Sequence, residues 1–232
     1  MKKRSALSAA WLGLALILLL LAACKGLPEK PPLEPGETPD TIITVGEPDT
    51  EEKEKAYLAA LYEATNGGRL DIALEIIEKL VNLVPDSRSY PVLKAGLLLS
   101  SGKMEEAGKS LVLELEKHPD NVDALFVKSE LDRFSGNVKG SQAALEAILA
   151  IDPQNPDANA AMGSVYYEGK NYSKAEESFN KALKLQPDNS NALIGLAKVR
   201  LKRKDEKSAL ALLNRAVDAN PSDALARLDR SR

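Results

Sequence analysis

The chain has 232 residues, a formal net charge of −3 and 4% aromatic side chains, with one cysteine (Cys24), one histidine (His118) and one tryptophan (Trp11). One cysteine and one histidine exclude an internal disulfide and any Cys- or His-rich metal cluster. So mild a charge leaves no electrostatic footprint for nucleic acid.

The first segment reads "MKKRSALSAAWLGLALILLLLAAC". Lys2, Lys3 and Arg4 form a positive start, an uncharged Leu/Ala-rich run follows, and small residues close it, which is the layout of an export signal. The alternative is an uncleaved membrane anchor, because about 18 uncharged apolar residues can span a bilayer. The closing Leu21 to Cys24, "LAAC", resembles the lipobox of bacterial lipoproteins. That resemblance implies a signal peptide over 1–23, cleavage before Cys24, and lipidation (a palmitate-type acylation) of Cys24 as the new first residue. Several acyl chains anchor stably where one does not. Lys25 follows the cysteine, where an aspartate would resemble the inner-membrane retention signal of enteric bacteria. The expected location is therefore the bacterial cell envelope, lipid-anchored in the outer membrane and facing the periplasm.

Residues 24–53 form the expected tether. Its stretch 25–53 contains six prolines and eight acids against three lysines, with few large apolar residues. Such a segment cannot bury enough surface to offset its ordering entropy, and it is predicted to be an extended, disordered spacer. Within it, Thr41 to Val45 ("TIITV") is prone to β structure and is either a brief apolar interruption or a strand for a partner's sheet edge.

From residue 54 onward a proline returns every 34 residues: Pro85, Pro119, Pro153, Pro187 and Pro221. A fixed period between 20 and 50 residues marks a repeat architecture. The beat lays out repeats 54–87, 88–121, 122–155, 156–189 and 190–223, followed by a short helix or tail at 224–232. Each repeat reads as two amphipathic helices, because apolar residues recur at three and four. In the fourth, Asn159, Met162, Gly163 and Tyr166 share one helix face, and Ala175, Phe179 and Ala182 share another. Gly68, Gly102 and Gly136 fall at the mid-repeat turn, where a left-handed cap suits glycine. The prolines end the second helices. The polar residues after them, as in "PDS", "PDN" and "PQN", can cap the next helix.

This pattern resembles the tetratricopeptide repeat (TPR), with its aromatic–Leu–Gly–Tyr first helix and Ala–Phe–Pro second helix. The likeness covers 54–223, and Asn159 and Arg200 replace a usual tryptophan and tyrosine. It implies an all-α fold, a right-handed α-solenoid of five helix-turn-helix units over 54–223. Small residues at the helix crossing (Ala73, Ala107, Ser141, Ala175, Ala209) let two backbones approach. Repeats two and three are looser. Glu114 stands where repeats four and five have Ala182 and Ala216, and Lys128 and Asp132 occupy places that are apolar elsewhere. A carboxylate on a packed face costs solvation unless it is paired or turned outward. Glu114→Ala is accordingly expected to be neutral or stabilising.

The family also implies a concave face lined by first helices. Carried over by position, the stripe includes Leu58, Tyr62, Val92, Gly96, Phe126, Glu130, Arg133, Ala160, Ser164, Tyr167, Ile194 and Lys198. Each group follows helical spacing. Some TPR domains grip a C-terminal carboxylate with lysine and asparagine four residues apart. The corresponding pairs here run from Leu58/Tyr62 to Ile194/Lys198, and none is Lys/Asn. What remains is a mainly apolar and aromatic groove, suited to an amphipathic helix or an extended peptide, unless these residues merely complete packing between repeats. Tyr62, Phe126 and Tyr167 are the expected anchors.

The inventory for catalysis is poor. His118 sits in "EKHPD" before a helix-ending proline, where a histidine serves the helix dipole. No Gly-rich phosphate loop, G-x-S-x-G or H-E-x-x-H motif is present. No enzymatic activity, cofactor or metal is expected. The basic run "KVRLKRKDEK" (Lys198 to Lys207) is either decoration of a helix C-terminus or a docking face for an acidic partner or anionic headgroups. The functional expectation is a membrane-anchored adaptor or scaffold that binds another envelope protein or peptide through the groove during assembly or transport. Its partners are a protein or peptide and the membrane, with no nucleic acid. The alternative is a carrier of a small apolar ligand within the repeat array.

Overall fold

In the computed structural model the described residues are 49–219. The signal peptide, Cys24, the tether up to residue 48 with its Thr41–Val45 segment, Pro221 and the 224–232 tail lie outside them. The described residues form ten α-helices and no strand. In chain order they are α1 (Thr50–Asn66), α2 (Leu70–Leu83), α3 (Tyr90–Ser100), α4 (Met104–Lys117), α5 (Val122–Phe134), α6 (Val138–Ile151), α7 (Pro156–Glu168), α8 (Tyr172–Leu185), α9 (Ser190–Lys202) and α10 (Glu206–Ala219). The fold is therefore all-α, with one helix pair in each predicted repeat. One boundary differs. Thr50–Lys53, assigned to the tether, already belong to α1, where Glu51 accepts a hydrogen bond from Lys55 at 2.6 Å.

The punctuation follows from local chemistry. Val84, His118, Asp152 and Gln186 each precede a proline and close a second helix. Their φ values of −129°, −131°, −131° and −136°, with ψ between 75° and 96°, lie outside the helical region. The proline ring forbids the preceding residue that region, so the helix stops. After the proline, Asn121, Asn155 and Asn189 accept from the backbone N–H of Ala124, Ala158 and Ala192 at 3.3, 2.9 and 3.0 Å. Ser87 does the same for Tyr90 at 3.4 Å. A second set of caps, absent from the sequence reading, opens the second helices. Asn137, Asn171 and Asp205 accept from Gly140, Lys174 and Ser208 at 3.1, 3.2 and 3.1 Å. Each cap of this kind contributes about 1 kcal/mol.

The mid-repeat turn has a left-handed residue in every repeat: Gly68, Gly102 and Gly136 at φ 68°, 76° and 78°, then Lys170 and Lys204 at φ 60° and 63°. Lysine in this region costs about 1 kcal/mol that glycine avoids.

The chain divides into two compact units within α5, between Val127 and Lys128. In the first unit Leu61, Ile76, Ile77, Leu80 and Leu97 form the core with Ala60, Ala64 and Ala73. Here Glu114 is 3% exposed yet satisfied. It accepts from Asn121 Nδ2 at 2.6 Å, and that amide also donates to the Arg88 carbonyl at 2.8 Å. The expectation that Glu114→Ala is neutral or stabilising loses its premise: the buried carboxylate is not unpaired but has the partner that makes its burial tolerable.

In the second unit Phe179 is 1% exposed and its ring occupies the space beside two glycines. A Cβ on Gly163 would come within 2.6 Å of that ring, and one on Gly195 within 2.3 Å. Both glycines are there because the ring is. Asp132, 8% exposed, accepts from Lys128 and from Asn137 Nδ2 at 3.0 Å, which explains a pair of charges on a nominally apolar face. Gly140 leaves room for that cluster, since a Cβ there would lie 2.7 Å from the Asp132 carboxylate. Ser141 stands among the small crossing residues, 1% exposed, and its Oγ makes no hydrogen bond. Among the described residues the buried side chains of the two units lie between Ala60 and Ala216.

Candidate functional site

First helices place their apolar side chains either into the core or along its rim, and the candidate stripe divides accordingly. In the first unit Val92 is fully buried and Gly96 is buried, while Leu58 is half-buried against the core of α1 to α3. Tyr62 is 44% exposed and Phe126 is half-buried. Val92 is therefore a packing residue in the free chain, and the aromatic pair is what the rim presents.

In the second unit Ala160 and Ile194 are buried, at 2% and 5% exposure. Ser164 is half-buried and its hydroxyl donates to the Ala160 carbonyl at 3.3 Å. Tyr167 is half-buried, with its ring centroid 5.5 Å from that of Tyr172 and tilted by 57°. Such a tilted pair is worth about 1 kcal/mol beyond its buried area. Lys198 is half-buried.

Glu130 and Arg133 were expected to line an apolar groove, but in the second unit they make a charged clamp. Arg133 donates to Glu130 at 2.6 and 3.3 Å and to Glu168 at 2.5 Å, and its guanidinium lies 4.4 Å from the Phe134 ring centroid. Burial works against the Arg133 charge. The hydrogen bond and charge of Glu130, with the charge of Glu168, outweigh it and hold the guanidinium above its ordinary value. Spacing alone could have flagged the three-residue Glu130–Arg133 pair, but the 35-residue step to Glu168 is visible only in the fold.

The basic run also has internal partners. Arg200, standing where a tyrosine is usual, pairs with Glu176 at 2.6 Å, and Arg203 takes the other oxygen at 2.5 Å. Hydrogen bonds from the Ser208 hydroxyl and backbone hold the Asp205 carboxyl below its ordinary value, with Arg200 and Lys207 adding to the effect. His118 is the C-cap residue of α4. Among the described residues no group of three His, Cys, Asp or Glu could hold a metal, and no helix is long and apolar enough to cross a membrane.

A family model described as tetratricopeptide repeat matches residues 135–181 and 166–228. Several solved structures share the fold. A thermophilic TPR protein of Thermus thermophilus is 22% identical, with a TM-score of 0.65 over 77% of this chain and 97% of that one. The MamA protein of Desulfovibrio magneticus is 19% identical, with a TM-score of 0.59 over 76% and 99%. YrrB, described as a TPR protein with an unusual peptide-binding site, is 16% identical, with a TM-score of 0.53 over 84% and 99%. No curated protein sequence matches the chain.

Proposed function

We propose that this chain, which has the all-α tetratricopeptide-repeat fold, is a membrane-anchored adaptor that holds another envelope protein, or an extended peptide of it, during assembly or transport. Repeats of this kind act as protein-interaction scaffolds, and one structural neighbour carries a peptide-binding site by its description. The observation that supports the reading best is selective exposure. The first helices bury Val92, Ala160 and Ile194 but leave Tyr62 and Phe126 at the rim of the first unit and Tyr167 at that of the second. Aromatic side chains of this kind supply most interface energy once a partner covers them. Anchoring follows from lipidation at Cys24, with Lys25 favouring the outer membrane and a chain facing the periplasm.

The test uses the lipidated chain as bait in solubilised membranes. Tyr62→Ala and Phe126→Ala should leave helical content intact and weaken capture of the partner about thirtyfold each, an effect of about 2 kcal/mol. Capture that survives both changes would move the site off these rims.

A further inference from the structure

The mid-repeat turns of the second unit have a chemistry that packing does not ask for. On the 34-residue beat the left-handed position is Gly68, Gly102 and Gly136, then Lys170 and Lys204 at φ 60° and 63°. Glycine fits that conformation without strain, whereas a side chain does not. Both lysines are exposed, so neither is held there by burial.

Connections of three or four residues join α7 to α10, so successive helices are antiparallel, and the C-terminal ends of α7 and α9, which pack on each other, lie at one end of this unit. Lys170 and Lys204 sit just beyond those ends. Three of the four acids nearest them in sequence are already engaged. Glu168 is held by Arg133, Glu176 by both Arg200 and Arg203, and Asp205 is the cap of α10, bonded to Ser208. Glu206 is exposed beside Lys207. Lys170, Lys202 and Lys204 are exposed and make no ion pair among the described residues. Two leucines are interspersed with these cations. Leu201, between Arg200 and Lys202, is 44% exposed, and Leu210, three residues after Lys207, is 48% exposed.

We propose that this end of the second unit docks on an anionic phospholipid surface, with Lys170, Lys202, Lys204 and Lys207 meeting headgroup phosphates and Leu201 and Leu210 entering the interface. Cations around exposed leucines are what an interfacial surface requires, and each lysine near an anionic bilayer strengthens binding about fivefold. The choice of a membrane over an acidic protein rests on the anchored reading, since the lipobox-like leader brings this chain to a bilayer.

The test is flotation of the chain beginning at Lys25, which keeps all of α1 to α10 and lacks the anchor. Vesicles of phosphatidylcholine alone are compared with vesicles containing phosphatidylglycerol. Binding should require phosphatidylglycerol and weaken as salt rises. Lys170→Gly with Lys204→Gly should weaken it about thirtyfold while raising the thermal midpoint, because the strain leaves with the charge. Lys170→Arg with Lys204→Arg should retain binding, and Lys109→Gln, in a surface ion pair of the first unit, should not alter it. Equal binding to both vesicle types, no binding to either, indifference to the double glycine variant, or tighter binding to polyglutamate than to anionic vesicles would overturn the proposal. Failure of Cys24 lipidation is read separately, from processing of a Cys24→Ala precursor.

Discussion

Gly195→Ala is the most demanding test of the packing in the second unit. Alanine is the better helix former by about 1 kcal/mol, so at an open site in α9 the change would stabilise. Here the new Cβ would lie 2.3 Å from Cε1 and Cζ of Phe179, where carbon atoms normally settle 3.5–4.0 Å apart. The ring would have to retreat by more than about 1 Å. It cannot do so freely, because Phe179 is 1% exposed and its Cδ1–Cε1 edge is already close against Gly163 as well. Overpacking of this degree costs about 3 kcal/mol, at the upper end for inserted carbons. Subtracting the propensity gain leaves a net loss of about 2 kcal/mol. Urea denaturation followed by circular dichroism measures it. Phe179→Leu alone opens a gap beside both glycines, so in the Gly195→Ala background it should cost less than it does by itself, with a coupling of about 1 kcal/mol or more. A Gly195→Ala chain as stable as the parent, or strictly additive double substitution, would refute the claim that the ring dictates both glycines.

Ser141→Ala should raise stability by about 1 kcal/mol, because it removes a buried hydroxyl without a partner; a loss in the same denaturation assay would show that Oγ is bonded after all. Glu114→Ala should lower stability by about 1–3 kcal/mol by leaving one N–H of the Asn121 amide without its acceptor, and Glu114→Gln should recover part of it. Asp205→Ala should shift the urea midpoint downward at neutral pH. A carboxyl with a depressed folded-state pKa contributes stability that is complete above the ordinary range near 4 and fades as pH falls through the folded value. The difference between the two chains should therefore shrink on acidification, and a difference that grows would contradict the cap. Cys24→Ala should block processing and leave an unlipidated precursor, whereas normal processing and membrane fractionation would remove the anchor from the reading.

Much of the fold could be read without coordinates because it rests on short-range chemistry. Pro85, Pro119, Pro153 and Pro187 act on the residue just before them, and Asn121, Asn155 and Asn189 act on an N–H three residues ahead. Such effects are complete within one turn of chain, so spacing alone placed ten helices in five pairs. The small residues Ala73, Ala107, Ala175 and Ala209 were legible for the same reason: the period repeats the crossing as well as the helices. What required tertiary structure were pairings between residues far apart in sequence, whose partners no local pattern names. Glu114 looked like a packing fault until Asn121, itself held by the Arg88 carbonyl, proved to donate to it, and Arg200 looked like a lost tyrosine until Glu176 proved to face it. The candidate groove divided on the same ground. Val92, Tyr62, Ile194 and Tyr167 share one helical register, and register says which way a side chain points. It does not say how closely the neighbouring helix approaches, and that distance decides that Val92 and Ile194 are core while Tyr62 stays exposed and Tyr167 half-buried.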